Sequence, residues 1–206
     1  MGLLVLLLLV VAAGTAIGVL RGGQPKGLAE ASLHGKPLAA VCLLLQGVVG
    51  ALALRSIGLP RGTGALLLAL TLLVLLGVAR ANGQLPGVPL IALGLLSNLL
   101  VLSLNLGVPV AATTLERAGV ALERPLPQRP DAKHVLEGGG THLAVLGDQL
   151  AVRPLHAVVS VGDIAELAGL FLLVQGMVLA TPSRRRADAA HGAHEARTVP
   201  WSTWAD

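Results

Sequence analysis

Ser160-Val161-Gly162-Asp163 opens the last apolar stretch of the chain, Ile164 to Ala180, and decides how the chain is read. Upstream lies a long polar segment, residues 107–157; downstream come only apolar residues, apart from Glu166, Gln175 and Thr181, until Pro182 and Arg184-Arg185-Arg186. A stretch of this length and polarity reads as a membrane helix entered from the polar segment. Ser160 and Asp163 have the spacing of a capping box, in which two side chains satisfy free N–H groups at a helix start. Gly162 falls inside that turn, and the negative charge of Asp163 suits the positive end of the helix dipole. Ser160, Gly162 and Asp163 are therefore expected to be structural.

Glu166 lies one turn deeper. At about 1.5 Å per residue it is roughly 8 Å inside a helix that starts at Val161. A carboxylate at that depth costs a few kcal/mol unless it is paired, protonated or facing water. Glu166 is thus the candidate for an intramembrane polar site.

The rest of the chain supports the membrane reading. Of 206 residues, 54% are hydrophobic and 13% charged, with a mean hydropathy of +0.78. Soluble domains carry about 25% charged residues, so the balance is that of a multi-pass membrane protein. The net charge of +4 is modest and the arginines sit at the ends of apolar stretches, which is a topology signal. With one Phe, two Trp and no Tyr, the chain lacks stacking platforms for single-stranded nucleic acid, and no nucleic-acid partner is expected. Cys42 is the only cysteine, so no internal disulfide forms. No Lys or Arg precedes the first apolar stretch, so it reads as a retained helix rather than a signal peptide.

Five apolar helices are expected, at about residues 3–20, 38–54, 63–79, 88–106 and 161–180. The fold class is all-α: a five-helix transmembrane bundle with one long extracytoplasmic loop, 107–157. Gly14 and Gly18 make a small-xxx-small surface for close helix approach. Leu28 to Leu33 reads as a short helix on the membrane surface, and Gly and Pro mark turns at 55–62 and 82–89. In the fourth helix Asn98 is expected to bond across to a neighbour; Asn105 follows near its end. Within the loop, Thr113 to Glu116 fits a second capping box with Gly119 as the stop, and 124–130 reads as an extended linker. Thr141 to Leu146 and Gln149 to Val152 are expected to pair as a hairpin about Gly147-Asp148. Residues 181–206 read as a basic, disordered tail containing Trp201 and Trp204.

Five spans put the termini on opposite sides. Short segments with Arg21, Lys26, Lys36, Arg80 and Arg184 to Arg186 share one side, and the positive-inside rule makes it cytoplasmic. The N-terminus and long loop are then outside the cell membrane and the tail inside.

Chemistry is sparse. His134, His142, Asp148, His156 and Asp163 are suitable metal-ligand types, with His134 and Asp148 the loop candidates, but spacings of 8, 6, 8 and 7 residues match no compact ligand motif. Ser160, His134 and Asp148 lack the G-x-S-x-G elbow of a serine hydrolase. No P-loop or dinucleotide fingerprint occurs. No catalytic residue, cofactor or metal is assigned.

Several features resemble a family of small bacterial integral membrane proteins of unknown function. They are Arg21-Gly22-Gly23, Asn98, Asn105 with Gly107-Val108-Pro109-Val110, His134-Val135-Leu136, Thr141, Leu143, Leu146-Gly147-Asp148, Ser160-Val161-Gly162-Asp163 and Gly169. The resemblance covers residues 1–180. Leu106 and Val108 depart from the glycines and Met-Pro pair that follow Asn105 in the family pattern, and Glu166 replaces an apolar residue. The resemblance implies a multi-pass membrane protein and supplies no activity. The leading function is a non-enzymatic scaffold or accessory subunit, with lipid, other membrane subunits or a second copy as partners. The rival is a small transporter or proton-linked carrier using Glu166 and the helix amides; a membrane enzyme with a metal on the outer loop is third.

Overall fold

The computed structural model describes residues 2–54, 63–119 and 134–180. The turn at 55–62, the linker at 124–130 and the tail with Trp201 and Trp204 lie outside the described residues.

The chain is mostly helical. The long helices are α1 (Gly2–Leu20), α3 (Lys36–Leu54), α4 (Thr63–Ala81), α5 (Val88–Asn105) and α7 (Val161–Leu179). Their bounds follow the apolar runs because nothing inside the runs breaks a helix: Pro37 and Pro89 fall at first turns, where no backbone donor is lost. Among the described residues, α4, α5 and α7 are long and apolar enough to cross a membrane, with mean hydropathies of 2.2, 1.9 and 1.6. The side chains of α1 and α3 are described over the shorter apolar segments Leu4–Leu20 and Lys36–Ala51. Leu8 on α1, Leu44 on α3, Leu66 on α4 and Leu93 on α5 are each more than half exposed. Apolar surface on this scale suits contact with lipid and not with water.

The principal helix contacts run in a row, α1 on α7, α7 on α5, α5 on α4 and α4 on α3, so α7 and α5 are the middle of the molecule. Glycines set the approach of these two. A Cβ at Gly169 would stand 2.6 Å from the Gly87 carbonyl oxygen and 2.7 Å from the Ile91 nitrogen. One at Gly94 would strike the Gly162 carbonyl and stand 2.9 Å from the Glu166 nitrogen. The pairs 87 with 169 and 94 with 162 run in opposite senses, so α5 and α7 are antiparallel and touch backbone to backbone at both places.

On the other side of α7, Gly14 and Gly18 let α1 come close, as their spacing implied. A Cβ at Gly14 would be 3.0 Å from the Phe171 carbonyl oxygen, and one at Gly18 would be 2.8 Å from Val178 Cβ. Partners advance along α7 as α1 advances, so these two helices are parallel.

Small elements close the two ends. At one end α2 (Gly27–Glu30) is shorter and earlier than the surface helix expected at 28–33. At the other, β1 (Val108–Val110), α6 (Ala112–Arg117), β2 (His134–Leu136), β3 (Leu150–Val152) and β4 (Ala157–Val159) precede α7. β1 pairs in parallel with β2, and β3 pairs antiparallel with β4.

Two expectations for this region are corrected. The hairpin is not 141–146 with 149–152: Ala144–Leu146 is a 3-10 turn, and Leu150 pairs instead with Val159. The reversal occurs at Arg153 to His156, where His156 takes the left-handed conformation at φ 46°. Nor does Thr113 cap α6. The N-cap is Ala111 without a side-chain bond, because Thr113 already lies inside the helix. Gly119, at φ 72°, does end that helix.

Candidate functional site

α7 begins where the sequence places it. The Ser160 hydroxyl accepts the Asp163 N–H at 2.9 Å, and the Asp163 carboxylate accepts the Ser160 N–H at 3.0 Å. Both halves of the capping box are present. Ser160 is 1% exposed and Asp163 8%, so the cap is buried against the bundle.

What buries it is Asn98. The antiparallel register that sets Gly94 against Gly162 brings residue 98, one turn farther along α5, against the first turn of α7. A Cβ at Gly162 would be 2.8 Å from Asn98 Cγ, so only glycine leaves room for the amide. Asn98 Nδ2 donates to Asp163 Oδ1 at 3.1 Å and to Glu166 Oε1 at 2.9 Å. Its Oδ1 accepts the Ser160 hydroxyl at 3.1 Å. An amide has two N–H donors and one carbonyl acceptor, and each is used here toward α7. Two carboxylates on one helix face thus share a single amide donor from the next helix. The attraction is charge-assisted on the acceptor side, which strengthens each bond.

Asn105 does not join this group. It lies two turns beyond Asn98, where its Nδ2 donates to the Val101 and His142 carbonyls, each at 2.9 Å. Its Oδ1 accepts the His142 N–H at 2.8 Å. Asn105 therefore fastens the polar loop to the end of α5.

His134 and Asp148 do come together. His134 Nε2 lies 2.9 Å from Asp148 Oδ2, and the Asp148 side chain is fully buried. The Asp148 N–H donates to the Pro109 carbonyl at 2.9 Å, so Asp148 locks β1 and β2 to the segment after Gly147. The other loop histidines go elsewhere: His142 is exposed and held through its backbone, and His156 is exposed beside Gly119. Among the described residues no group of three or more His, Cys, Asp or Glu is arranged to hold a metal ion. The Ser160 hydroxyl bonds Asp163 and Asn98, while His134 bonds Asp148, so the imagined Ser-His-Asp set is divided between two places.

The opposite end has its own ties. Asn82, only 2% exposed, donates to the His34 and Val78 carbonyls and accepts the His34 N–H. Sequence reading treated it as one residue of a Gly- and Pro-rich turn, and nothing in its neighbours distinguished it. Arg21 Nη1 donates to Gln175 Oε1 at 3.0 Å; midway along the helices, Gln46 Nε2 donates to the Thr71 hydroxyl at 2.9 Å, linking α3 to α4. Of the described bases, Arg21, Lys26, Lys36 and Arg80 belong to the Asn82 end, with Glu30, while Arg117 and Arg153 belong to the other, with Asp148, Asp163 and Glu166.

Fold and site together define a class: a helical protein with apolar helices able to cross a membrane, its polar groups concentrated at helix ends and between helices. The chain belongs to the family of unknown function DUF5317, whose model matches residues 30–175. No curated protein and no solved structure matches the chain. The matched span includes Asn98, the His134–Asp148 pair and the whole cap of α7.

Proposed function

We propose that this is a five-span protein of the bacterial plasma membrane, acting as a non-enzymatic scaffold or accessory subunit of a membrane complex. In this topology α1, α3, α4, α5 and α7 are the spans, the N-terminus and the 107–157 loop are outside, and the tail is inside. The parallel packing of α1 on α7 supports an odd number of crossings. The gathering of Arg21, Lys26, Lys36 and Arg80 at one end supports that end as cytoplasmic.

The observation that carries the functional reading is the engagement of Asn98. A carrier needs polar groups offered to a path; here the amide uses every donor and acceptor to hold α5 to α7. Polar side chains used in this way are packing devices in membrane helices. Purification in mild detergent should return a defined complex or oligomer, and a monomer that brings no partner from its native membrane contradicts the proposal.

Glu166 favours a second reading, a proton-linked carrier. It is a carboxylate one turn inside an apolar helix, half-buried, beside a second carboxylate and an amide. On that reading Glu166→Gln abolishes flux in reconstituted vesicles, and unchanged flux removes it.

A further inference from the structure

Just past the last turn of α5, three aliphatic side chains stand clear of the rest of the molecule. Leu106 is 74% exposed, Val145 71% and Leu143 42%. Leu106 follows α5 directly, while Leu143 and Val145 belong to the 3-10 turn of the polar loop. That turn is held at the level of the helix end, because Asn105 bonds both the N–H and the carbonyl of His142. Three residues reach at most about 11 Å, so Val145 stays close to this level. Between Gly138 and Val152 the only acid or base besides His142 is Asp148, which is fully buried against His134. The turn therefore presents apolar side chains and no exposed fixed charge of its own.

We infer that Leu106, Leu143 and Val145 anchor the polar loop in the headgroup–acyl boundary of the bilayer that α5 crosses. The inference rests on α5 being a span. Its 18 residues are about 27 Å long, slightly less than the roughly 30 Å hydrocarbon core, so Leu106 leaves the helix at the boundary itself. Exposed Leu93, Leu96, Leu100 and Leu104 recur at three and four residues along one face of α5, up to its last turn. The three side chains continue the exposed apolar surface of that helix to the membrane boundary. Leu106 and Leu143 also hold the left-handed backbone conformation, at φ 53° and 51°. Glycine or asparagine takes that conformation at less cost than leucine, and neither leucine is buried in the protein, so contact with lipid is what these side chains gain. Finally, Trp and Tyr, the usual interfacial anchors, are absent from the described residues, and aliphatic side chains take their place at this end. A loop fixed in this way presents a single orientation to partners in the aqueous phase.

Cys42 is the only cysteine, so single cysteines in a Cys42→Ala background can carry an environment-sensitive fluorophore. The full chain is reconstituted in vesicles of phosphatidylcholine and phosphatidylglycerol containing lipid spin-labelled just below the headgroup. A probe at Val145→Cys should be quenched by that lipid severalfold more than one at Arg117→Cys, an exposed charged position of the same loop, and shielded severalfold from iodide. Leu100→Cys, on the exposed face of α5, tests the span separately with lipid labelled deeper in the acyl chain. Quenching at Leu100→Cys with Val145→Cys behaving like Arg117→Cys overturns the inference alone; no quenching at Leu100→Cys overturns the span and the inference together. Shielding of Val145→Cys from iodide without quenching by labelled lipid means that a protein covers the patch, and overturns the assignment to lipid. Leu106→Asn with Leu143→Asn keeps residues that suit the backbone while removing the apolar groups, and should raise iodide access at Val145→Cys severalfold. Unchanged access contradicts the place of the two leucines in the anchor.

Discussion

Replacing Gly94 by alanine tests the packing of the two central helices. The added Cβ would strike the Gly162 carbonyl oxygen and stand 2.6 Å from Glu166 Cγ and 2.9 Å from the Glu166 nitrogen. Two of these three neighbours are backbone atoms of α7 and cannot rotate away, so the helices must part by some tenths of an ångström. Overpacking of this kind costs about 1–3 kcal/mol, and rigid neighbours put Gly94 at the upper end. Alanine returns about 1 kcal/mol through its higher helix propensity. The net loss is about 2 kcal/mol, and separation also lengthens the Asn98 bonds to Asp163 and Glu166. Gly77, on α4, supplies the control: nothing lies within 4 Å of its Cβ position. Gly77→Ala gains propensity with no collision and should be stabilising by up to about 1 kcal/mol. Reversible unfolding in mixed detergent micelles measures both variants against the parent. If Gly94→Ala proves as stable as Gly77→Ala, α5 and α7 do not meet through this glycine contact.

The Asn98 clamp gives a second outcome. Asn98→Asp keeps the size but replaces the donor with a third carboxylate facing Asp163 and Glu166, and should cost about 2–4 kcal/mol in the same assay. Glu166→Gln should recover part of that loss in the double variant, whereas additive losses contradict a shared contact. Ser160→Ala removes the cap of α7 and the hydroxyl bond to Asn98; a loss of about 1–2 kcal/mol is expected, and no loss counts against the cap. Asp148→Ala removes the buried bond to His134, worth about 1.5–3 kcal/mol for a charged partner. Tryptic cleavage at the exposed Arg117 should then accelerate tenfold or more while the long helices stay intact; an unchanged rate contradicts the role of the pair in holding the loop.

The helices were legible because each apolar run is long, uninterrupted and bounded by Gly, Pro or charge. For α3, α4, α5 and α7 expected and observed bounds differ by no more than two residues at either end. The cap of α7 was legible because both of its partners lie within four residues. What joins distant residues was not. That Asn98 meets Ser160, Asp163 and Glu166 depends on the antiparallel register of α5 on α7, which the glycines at 87, 94, 162 and 169 set but no local pattern announces. Asn105 carries the same side chain in the same helix, yet seven residues of travel put it against the loop. The three-residue strands are too short for alternation to show, and β1 finds β2 across an intervening segment. The hairpin was misplaced because Gly147-Asp148 resembles a turn, while the real reversal uses His156, a non-glycine residue at positive φ. Asp148 is needed instead to bind Pro109 and His134.

Membrane topology offers the most direct test. With Cys42→Ala as background, single cysteines at Gly139 in the polar loop and at Ala189 in the tail can be challenged with a membrane-impermeant maleimide on intact cells. A five-span protein with its basic end inside leaves Gly139→Cys labelled at once and Ala189→Cys labelled only after permeabilisation. Labelling of both positions from the same side, or of Ala189→Cys alone from outside, contradicts the topology on which the functional proposal rests.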